Sequence, residues 1–454
     1  MKKLVLFVGD VVIFYASLFL ALFLRYGKDY TYWLDSHVIS FSVLLIFWAL
    51  IFYINGLYEI RTSKNTVEFY SALSRATVLN VIVSVLFFYL IPFFSITPKR
   101  NLFILTLIFI VFILVWRLIF NKIISALTFK NNIIIVGFNQ SSIELARFLK
   151  ANPQLGYSLK YIADLTPEFR ASPEDWFDFG IIKSPDRLKH VLEHEKIRIV
   201  VLSPEFYKVP GITNIFYKYI NKKIEFLNLS KFYEILTYKV PLDAIDQTWF
   251  LENLKEGKRK FYEILKRLTD ILLSIVFGAI SLILYPFIIL AIKLDSKGNI
   301  FFKQKRVGRG GEVFEIIKFR TMIENAEKNT GPVWAKESDS RITRIGKILR
   351  KTRIDELPQF WNVLKGQMSF VGPRAERPEF HEQLKKEIVF YEERYLIKPG
   401  LTGWAQIQYP YVASIADTKQ KLQYDLYYIK NRSFALDITI ILKTISIILR
   451  GWGR

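Results

Sequence analysis

The chain has 454 residues, of which 52% are hydrophobic, and its formal net charge is +22. It is too long for one ordinary domain, and its apolar content predicts a membrane protein. The positive charge suits an anionic membrane surface or a phosphorylated substrate better than nucleic acid. The sequence has no cysteine, which excludes disulfides, thiolate metal sites and a cysteine nucleophile. With only four histidines, catalysis must use carboxylates, lysine, arginine, tyrosine or a metal ion.

Four apolar segments occupy the first 120 residues: Leu4–Leu24, Val38–Ile54, Ala76–Ile96 and Leu102–Phe120. Each approaches the ~20 residues that a helix needs to cross a bilayer. The positive-inside rule predicts cytoplasmic ends for this bundle, although Lys99 and Arg100 in an outer loop argue mildly against it. We expect the first segment to be a retained anchor, because it has no small-residue cleavage site. Residues 1–125 are therefore predicted to form a four-helix transmembrane domain.

Residues 126–250 alternate between strand and helix patterns, which predicts a Rossmann-like α/β domain. A buried strand at Ile133–Val136 is followed by a turn at Gly137 and an amphipathic helix. The three glycine positions of the dinucleotide fingerprint read Gly137, Asn139 and Ser142. Side chains at the last two would obstruct a pyrophosphate. We therefore predict a degenerate domain with a structural or regulatory role.

A fifth apolar run, Ile271–Ile292, has lysine and arginine on both flanks and contains Pro286. Cationic flanks place both ends on the cytoplasmic side, and proline kinks or breaks a helix at a cost of roughly 3 kcal/mol. A helix that enters the membrane, bends at Pro286 and returns satisfies both facts, so residues 251–294 are predicted to be a re-entrant membrane helix. A kinked transmembrane helix is the alternative.

Residues 295–454 are predicted to form a mixed, mostly helical catalytic domain whose final apolar segment lies at the bilayer interface or packs in the core. A hairpin is expected from the strands Ile300–Arg306 and Val313–Phe319 around a glycine-rich turn. We assign its Lys303 and Lys305 to a solvated membrane-facing surface. Lys318 and Arg320 stand among apolar residues and are predicted to bind an anion.

Asp355 and Glu356 are adjacent and lie in a strongly basic stretch. Neighbouring residues on a helix face different directions, so we expect different roles for them. One could attack phosphorus or hold Mg²⁺ while the other assists. First-turn acids of a helix are the alternative. The basic residues around the pair are expected to keep both carboxylates ionised: Arg350, Lys351 and Arg353 before it, and Arg374 and Arg377 after it.

The segment "YLIKPGLTGWAQI" predicts a rigid loop around Trp404. The indole could stack on a nucleotide base or pack in the core, and the residues favour neither.

The motifs "KFRTM", "RIDELPQFWNVLKGQMSFVGPRAERPEF" and "KPGLTGWAQI", in this order, resemble the bacterial sugar transferases. These are polyprenyl-phosphate hexose-1-phosphate transferases, or monotopic phosphoglycosyl transferases. The resemblance covers about Phe261–Arg454. Together with the bundle and the α/β domain, it resembles the large form of the family, which initiates exopolysaccharide or O-antigen synthesis at the cytoplasmic face of the bacterial inner membrane.

The resemblance implies a re-entrant helix and a two-step reaction. Asp355 would attack the sugar-linked phosphate of a UDP-sugar, releasing UMP, and polyprenyl phosphate would then accept the phosphosugar. Glu356 would be its partner, with Mg²⁺ held by the two carboxylates. Arg320, Arg374 and Arg377 match the family's basic positions, and Lys318 and Arg353 are grouped with them as substrate-binding residues. Tyr285 precedes Pro286 where smaller members may have serine.

Two other functions compete with this one. A membrane-anchored NAD-dependent nucleotide-sugar dehydratase or epimerase would need a Tyr-x-x-x-Lys pair, which occurs at Tyr219/Lys223 and Tyr262/Lys266. A polysaccharide export scaffold would need no catalytic residue. A homodimer is a further expectation without a motif to support it, and the transferred sugar is left open.

Overall fold

The computed structural model describes residues 2–90, 99–127, 131–165, 179–254, 259–324, 326, 339–409 and 414–449. Contacts between residues divide the chain into two compact units, Met1–Leu227 and Asn228–Arg454. Among the described residues, four helical stretches are long and apolar enough to cross a membrane: Lys2–Ile54, Val67–Leu90, Arg100–Ile124 and Lys260–Asp295. The chain is therefore a mostly helical membrane protein with an α/β region, as the sequence predicts.

The first unit begins with four long helices: α1 (Lys2–Tyr26), α2 (Tyr30–Ile54), α3 (Val67–Leu90) and α4 (Lys99–Leu127). A short turn joins α1 to α2, and the two helices fold back on each other. The hydroxyl groups of Tyr15 and Ser42 are 2.7 Å apart, and Phe14 packs edge-on against Trp48. The apolar side chains on their outer faces remain exposed, as expected for helices that face lipid.

The third helix begins at Val67, nine residues before the predicted start at Ala76. Its first turns contain Phe69 and Leu73, which are buried against the other helices. Packing in the bundle therefore extends the helix beyond its uniformly apolar stretch. The predicted end, Ile96, lies outside the described residues.

An ion pair lies inside the bundle, where the sequence predicts only apolar packing. Arg117 on α4 is fully buried and donates hydrogen bonds to the Asp10 carboxylate on α1 and to the carbonyl oxygen of Leu57. A buried charge is tolerated only when it is paired. Each of these two residues therefore needs the other, and their ion pair links α1 to α4.

A parallel sheet follows the bundle. Its strands are β1 (Asn131–Val136), β2 (Tyr157–Ala163), β3 (Gly180–Ile182), β4 (Ile197–Leu202) and β5 (Glu225–Asn228), in the order β3-β2-β1-β4-β5. β1 pairs in parallel with β2 and β4, and β2 with β3. The connecting helices are α5 (Gln140–Ala151), α6 (Pro185–His194) and α7 (Ile212–Tyr217). The predicted strand in β1 is confirmed, and Ile133, Ile134 and Ile135 are fully buried.

The second unit begins at Asn228, well before the predicted domain boundary at residue 250. Its first helices, α8 (Leu229–Thr237) and α9 (Gln247–Asn253), precede the long helix α10 (Lys260–Asp295). Val240 and Trp249 lie in the hydrophobic core of this unit. The sequence prediction placed these two residues in the sheet domain. The residues that they contact in the second unit lie far away in sequence, so local patterns do not reveal the contacts.

α10 continues through Pro286 as one α-helix, so the proline does not end it. Proline removes a single backbone hydrogen bond and a helix can continue past it. One stripe, which includes Ser274, Ser281 and Ile288, is buried, whereas the other faces expose large apolar side chains.

The rest of the second unit surrounds the candidate site. The hairpin consists of β6 (Phe301–Val307) and β7 (Val313–Phe319) and matches the prediction within one residue. The remaining elements are α11 (Arg344–Thr352), α12 (Phe360–Leu364), β8 (Ser369–Val371), α13 (Pro378–Glu387), β9 (Gly400–Thr402), α14 (Trp404–Gln408), α15 (Ile415–Asn431) and α16 (Phe434–Leu449). On α16, Ile440 is fully buried and Asp437 pairs with Lys266, so this helix packs against the core.

Changing Arg117 to methionine should leave the buried Asp10 carboxylate without a counter-charge. The free energy of unfolding of the bundle should then fall by about 3–5 kcal/mol. The thermal unfolding midpoint of the purified protein in detergent should therefore fall clearly. The double variant Asp10→Asn/Arg117→Met, which leaves no unpaired charge, should recover much of the loss. A single variant that melts like the wild type would contradict the structural role of the pair.

Candidate functional site

The two adjacent carboxylates lie at a sharp turn between helices. α11 ends at Thr352, and the backbone of the next residue, Arg353, adopts a left-handed conformation with φ of 56°. Asp355 and Glu356 then occupy the first turn of a short 3-10 helix, Ile354–Gln359, which leads into α12. Non-glycine residues are uncommon in this conformation, so the turn at Arg353 is a specific feature that sets the direction of the two acids.

Glu356 is held by three cations. Its carboxylate lies 2.9 Å from the Arg374 guanidinium, 3.3 Å from the Lys318 ammonium and 3.3 Å from the Arg353 guanidinium. Although burial opposes ionisation, these positive charges, with Arg374 the strongest, keep the pKa of Glu356 well below its usual value. Glu356 is therefore ionised throughout the physiological range, as predicted. We call these four residues the Glu356 cluster.

Asp355 has a different environment, although it is the next residue. Its side chain is buried, and no donor among the described residues forms a hydrogen bond with its carboxylate. Burial and the negative charge of Glu356 raise the pKa of Asp355 to about 6, against the attraction of Lys318 and Arg350. The cations therefore favour ionisation of both acids, as predicted, but for Asp355 burial and the charge of Glu356 outweigh them, and this acid is still largely ionised at pH 7.

Three of the predicted substrate-binding residues converge here from distant parts of the chain. Lys318 comes from β7, Arg353 from the end of α11, and Arg374 from the turn after β8. Burial lowers the pKa of Lys318 to about 8 despite the carboxylate of Glu356. The ammonium therefore loses its charge in mildly alkaline solution.

Arg320 and Arg377 do not join the Glu356 cluster. The Arg320 guanidinium donates hydrogen bonds to the backbone carbonyls of Ser296 and Lys297, just beyond the end of α10. Its contacts thus serve to hold the end of a helix, and the anion-binding role predicted for it has no support in this geometry. Arg377 precedes α13, where it pairs with Glu379 at 3.5 Å.

Three basic residues near the site were not among the predicted ligands. Arg306 on β6 is buried beside Glu376, at 3.8 Å, and burial lowers its pKa to about 10. Arg350 attracts Asp355 from the last turn of α11. Lys421 on α15 has a pKa lowered to about 8 by burial and by the charge of Arg374. Only Arg350 is close to the acids in sequence, so local motifs could not reveal the other two.

Trp404 packs in the core. It is buried, its indole N–H donates to the carbonyl oxygen of Tyr238, and its ring stacks on Tyr427 at 5.9 Å between centroids. The structure thus decides between the two alternatives in favour of packing. Lys303 and Lys305 are exposed on β6, in agreement with a solvated surface.

The glycine turn after β1 lacks room for a pyrophosphate. Gly137 has a positive φ of 101°, but the Asn139 side chain fills the start of α5. It accepts a hydrogen bond from the backbone N–H of Ser142 and donates to the carboxylate of Glu205. An acidic group at this position repels phosphate, so the geometry opposes dinucleotide binding.

Residues of both Tyr-x-x-x-Lys pairs form hydrogen bonds with carboxylates of the fold. The Tyr219 hydroxyl donates to Glu193 at 2.8 Å. Tyr262 and Lys266 both bind the buried carboxylate of Asp437 on α16, each at 2.9 Å. These contacts disfavour the dehydratase alternative.

The residues present fit a magnesium ion only together with a phosphorylated ligand. Among the described residues there is no group of three or more histidine, aspartate or glutamate side chains close enough to hold a metal. Asp355 and Glu356 provide two carboxylates, and Asp355 keeps lone pairs that no hydrogen bond uses. Mg²⁺ typically takes one or two carboxylates plus phosphate oxygens and water, which this arrangement can supply.

Two family models match parts of the chain. The family model described as bacterial sugar transferase matches residues 261–451. A second model, described as CoA-binding domain, matches residues 53–206. The first match contains the whole Glu356 cluster and Asp355.

Three relatives illustrate the similarity. A UDP-N-acetylgalactosamine-undecaprenyl-phosphate N-acetylgalactosaminephosphotransferase of Aeromonas hydrophila is 44% identical over 48% of this chain and 51% of its own length. A UDP-glucose:undecaprenyl-phosphate glucose-1-phosphate transferase of Xanthomonas campestris pv. campestris is 30% identical over 69% of this chain and 65% of its own length. The exopolysaccharide production protein PSS of Rhizobium leguminosarum bv. phaseoli is 39% identical over 42% of this chain and 98% of its own length.

The matched stretch therefore spans about half to two thirds of the first two relatives and nearly all of the third. That third similarity, together with the family match over 261–451, establishes the relationship of the second unit. The chain belongs to the bacterial sugar transferase family.

Proposed function

We propose that this protein transfers a sugar 1-phosphate from a UDP-sugar to a polyprenyl phosphate such as undecaprenyl phosphate, releasing UMP. The main support for this proposal is the difference between the environments of the Asp355 and Glu356 carboxylates. Glu356 is neutralised by three cations, whereas Asp355 presents a carboxylate free of hydrogen-bond donors beside them. This arrangement suits a nucleophile next to a diphosphate-binding site.

In the proposed first step, a carboxylate oxygen of Asp355 attacks the phosphorus that carries the sugar. A new bond forms between this oxygen and the phosphorus while the bond to the bridging oxygen of the diphosphate breaks. UMP leaves with the electron pair of that bond, and a phosphosugar-aspartate remains. The raised pKa of Asp355 favours this role, because a more basic carboxylate is a better nucleophile.

The cations of the Glu356 cluster would stabilise the charge of the diphosphate. Arg374 is the most exposed of the three, with 38% of its side chain accessible, and can turn toward a ligand. Lys318 and Arg353 are held in place by Glu356, which thereby positions them. Mg²⁺, held by Asp355 and Glu356 with phosphate oxygens, would add positive charge against the leaving UMP.

In the proposed second step, a phosphate oxygen of the lipid acceptor attacks the phosphorus of the phosphosugar-aspartate. The bond between that phosphorus and the Asp355 oxygen breaks, which restores the carboxylate and yields a polyprenyl diphosphate sugar. No proton needs to move if the acceptor phosphate is fully ionised, so the absence of a histidine from the described cluster does not hinder the reaction.

We further propose that α10 is re-entrant and places the site at the cytoplasmic face of the bacterial inner membrane. Arg267, near the start of the helix, donates to the carbonyl oxygens of Val363 and Leu364. Asp295, at its end, accepts from the backbone N–H of Ile345. A helix that crossed the ~30 Å hydrocarbon layer would place its ends on opposite sides, whereas both ends here contact α11 and α12 of one domain.

The sheet domain is proposed to be a Rossmann-like domain that has lost dinucleotide binding. Its strand order, β3-β2-β1-β4-β5, agrees with the doubly wound arrangement of that fold. The Asn139 side chain and the Glu205 carboxylate at its first turn support a structural or regulatory role.

The first test is a donor panel. Purified protein, Mg²⁺, undecaprenyl phosphate and a set of UDP-sugars should release UMP with at least one donor. Asp355→Asn should reduce UMP release by at least about 10³-fold, because removal of a nucleophile commonly costs that much or more. Asp186→Asn, at an exposed carboxylate of α6, should behave like the wild type. Release from no donor, or full activity in Asp355→Asn, would refute the transferase.

The second test uses pH. The first step alone, followed as a burst of UMP without acceptor, should need ionised Asp355 and protonated Lys318. The kcat/KM of this step should therefore fall below pH of about 6 and above pH of about 8. Lys318→Arg should remove the alkaline fall, since arginine stays charged. If kcat/KM of the Lys318→Arg variant still fell above pH of about 8, the result would contradict the role of Lys318.

The third test concerns α10 and exploits the lack of native cysteine. Single cysteines in place of the exposed Lys260 and Lys297 should react with a membrane-impermeant maleimide in inverted vesicles but not in intact spheroplasts. Lys28→Cys, in the turn between α1 and α2, should show the opposite pattern. Labelling of Lys297→Cys in spheroplasts would identify a plain transmembrane helix instead.

A further inference from the structure

A second basic cavity lies beside the first turns of α10 and is not part of the Glu356 cluster. We call it the α10 cavity, and its volume is about 210 Å³. Its cationic lining residues are Lys266, Arg267, Arg309, Lys398 and Arg432. Only two acidic side chains, Glu263 and Asp270, line it, so the cavity carries an excess of positive charge.

Three of the cations are engaged with other groups. Lys266 pairs with Asp437 at 2.9 Å. Arg432 pairs with Glu263 at 3.1 Å. Arg267 donates to two backbone carbonyls at the end of α12, at 2.6 and 2.7 Å. These three cations therefore already stabilise the fold through ion pairs and hydrogen bonds.

Lys398 and Arg309 are different. Among the described residues, no carboxylate lies within ion-pair distance of either. Lys398 also faces other cations: a Cβ atom added to Gly366 would lie 3.5 Å from both its ammonium and the Arg267 guanidinium. Burial, and then the charge of Arg267, lower the pKa of Lys398; Asp270 raises it, and Arg309 contributes a smaller lowering effect. A bound anion would relieve the repulsion between the positive charges of Lys398, Arg267 and Arg309.

The α10 cavity is separate from the site of Asp355. Arg309 lies in the hairpin turn, whereas Lys318 lies near the other end of β7, roughly 17 Å along the strand at ~3.4 Å per residue. The largest charge effects on Lys398 come from Arg267, Asp270, Arg309 and Glu263, which are residues that line the cavity. An anion in the cavity would therefore not be the diphosphate of the donor.

The position of the cavity indicates the source of the anion. Exposed apolar side chains of α10, including Leu268, Leu272 and Ile275, come directly after Arg267. Given the proposed membrane placement of α10, on which this step rests, the cavity lies at the depth of the lipid headgroups. Its volume is below the ~300 Å³ at which small-molecule clefts begin, which suits a headgroup phosphate better than a nucleotide sugar.

We propose that the α10 cavity binds the phosphate of an anionic phospholipid headgroup, with Lys398 and Arg309 as the principal ligands and Arg267 beside them. The bound lipid would hold the second unit at the membrane surface. It would also neutralise charges that otherwise repel one another.

The test measures lipid binding by the full-length protein without any UDP-sugar, so its result does not depend on transferase activity. Phosphatidylglycerol is titrated into protein in a neutral detergent, and retained lipid is counted by native mass spectrometry. The double variant Arg309→Gln/Lys398→Gln should bind the lipid at least about tenfold more weakly. The control Lys386→Gln/Lys419→Gln removes the same charge from exposed positions of α13 and α15 and should bind like the wild type.

Thermal unfolding provides a second measurement on the same proteins. Phosphatidylglycerol should raise the melting midpoint of the wild type and the control but not that of the cavity variant. Without lipid, the cavity variant should melt no lower than the wild type, because the changes remove repulsion. Equal lipid binding by wild type and cavity variant, an equal loss in the control, or equal stabilisation by inorganic phosphate would each overturn the proposal.

Discussion

The candidate site depends on one electrostatic arrangement, the enclosure of Glu356 by Lys318, Arg353 and Arg374. These cations arrive from a strand, a helix end and a turn that are distant in sequence, and the carboxylate holds them within 3.3 Å. Burial, and then the negative charge of Glu356, raise the pKa of Asp355, whose carboxylate has no hydrogen-bond donor among the described residues. Two adjacent acids thus have different environments, and the roles proposed for them follow from this difference.

In the proposed re-entrant placement, the long helix α10 connects this arrangement to the membrane. Its ends are tied to α11 and α12, which flank the 3-10 helix that carries the acids. Arg320, just beyond the hairpin, holds the residues after α10 through backbone carbonyls. A shift of the helix would therefore be transmitted to the turn at Arg353. Arg320, which resembles a phosphate ligand in sequence, therefore contributes to the contacts that hold the end of α10.

Much of the site could be predicted from local sequence. The hairpin strands, the first-turn position of the acids and the burial of β1 follow from short patterns of apolar, glycine and charged residues. The raised pKa of Asp355 could not be predicted, since it depends on how deeply the turn is buried. The effect of Arg374 on Lys421 and the packing of Val240 in the core of the second unit depend on contacts between residues that are tens to nearly two hundred positions apart. The buried pair of Asp10 and Arg117 likewise appears only when α1 meets α4.

The central claim is that Asp355 becomes covalently bound to the phosphosugar, and intact-protein mass spectrometry tests it most directly. Protein incubated with its UDP-sugar and Mg²⁺, without acceptor, should gain the mass of one sugar phosphate. Peptide mapping should place the adduct on Asp355, and undecaprenyl phosphate should remove it. UMP release without any adduct, or an adduct on another residue, would contradict the account.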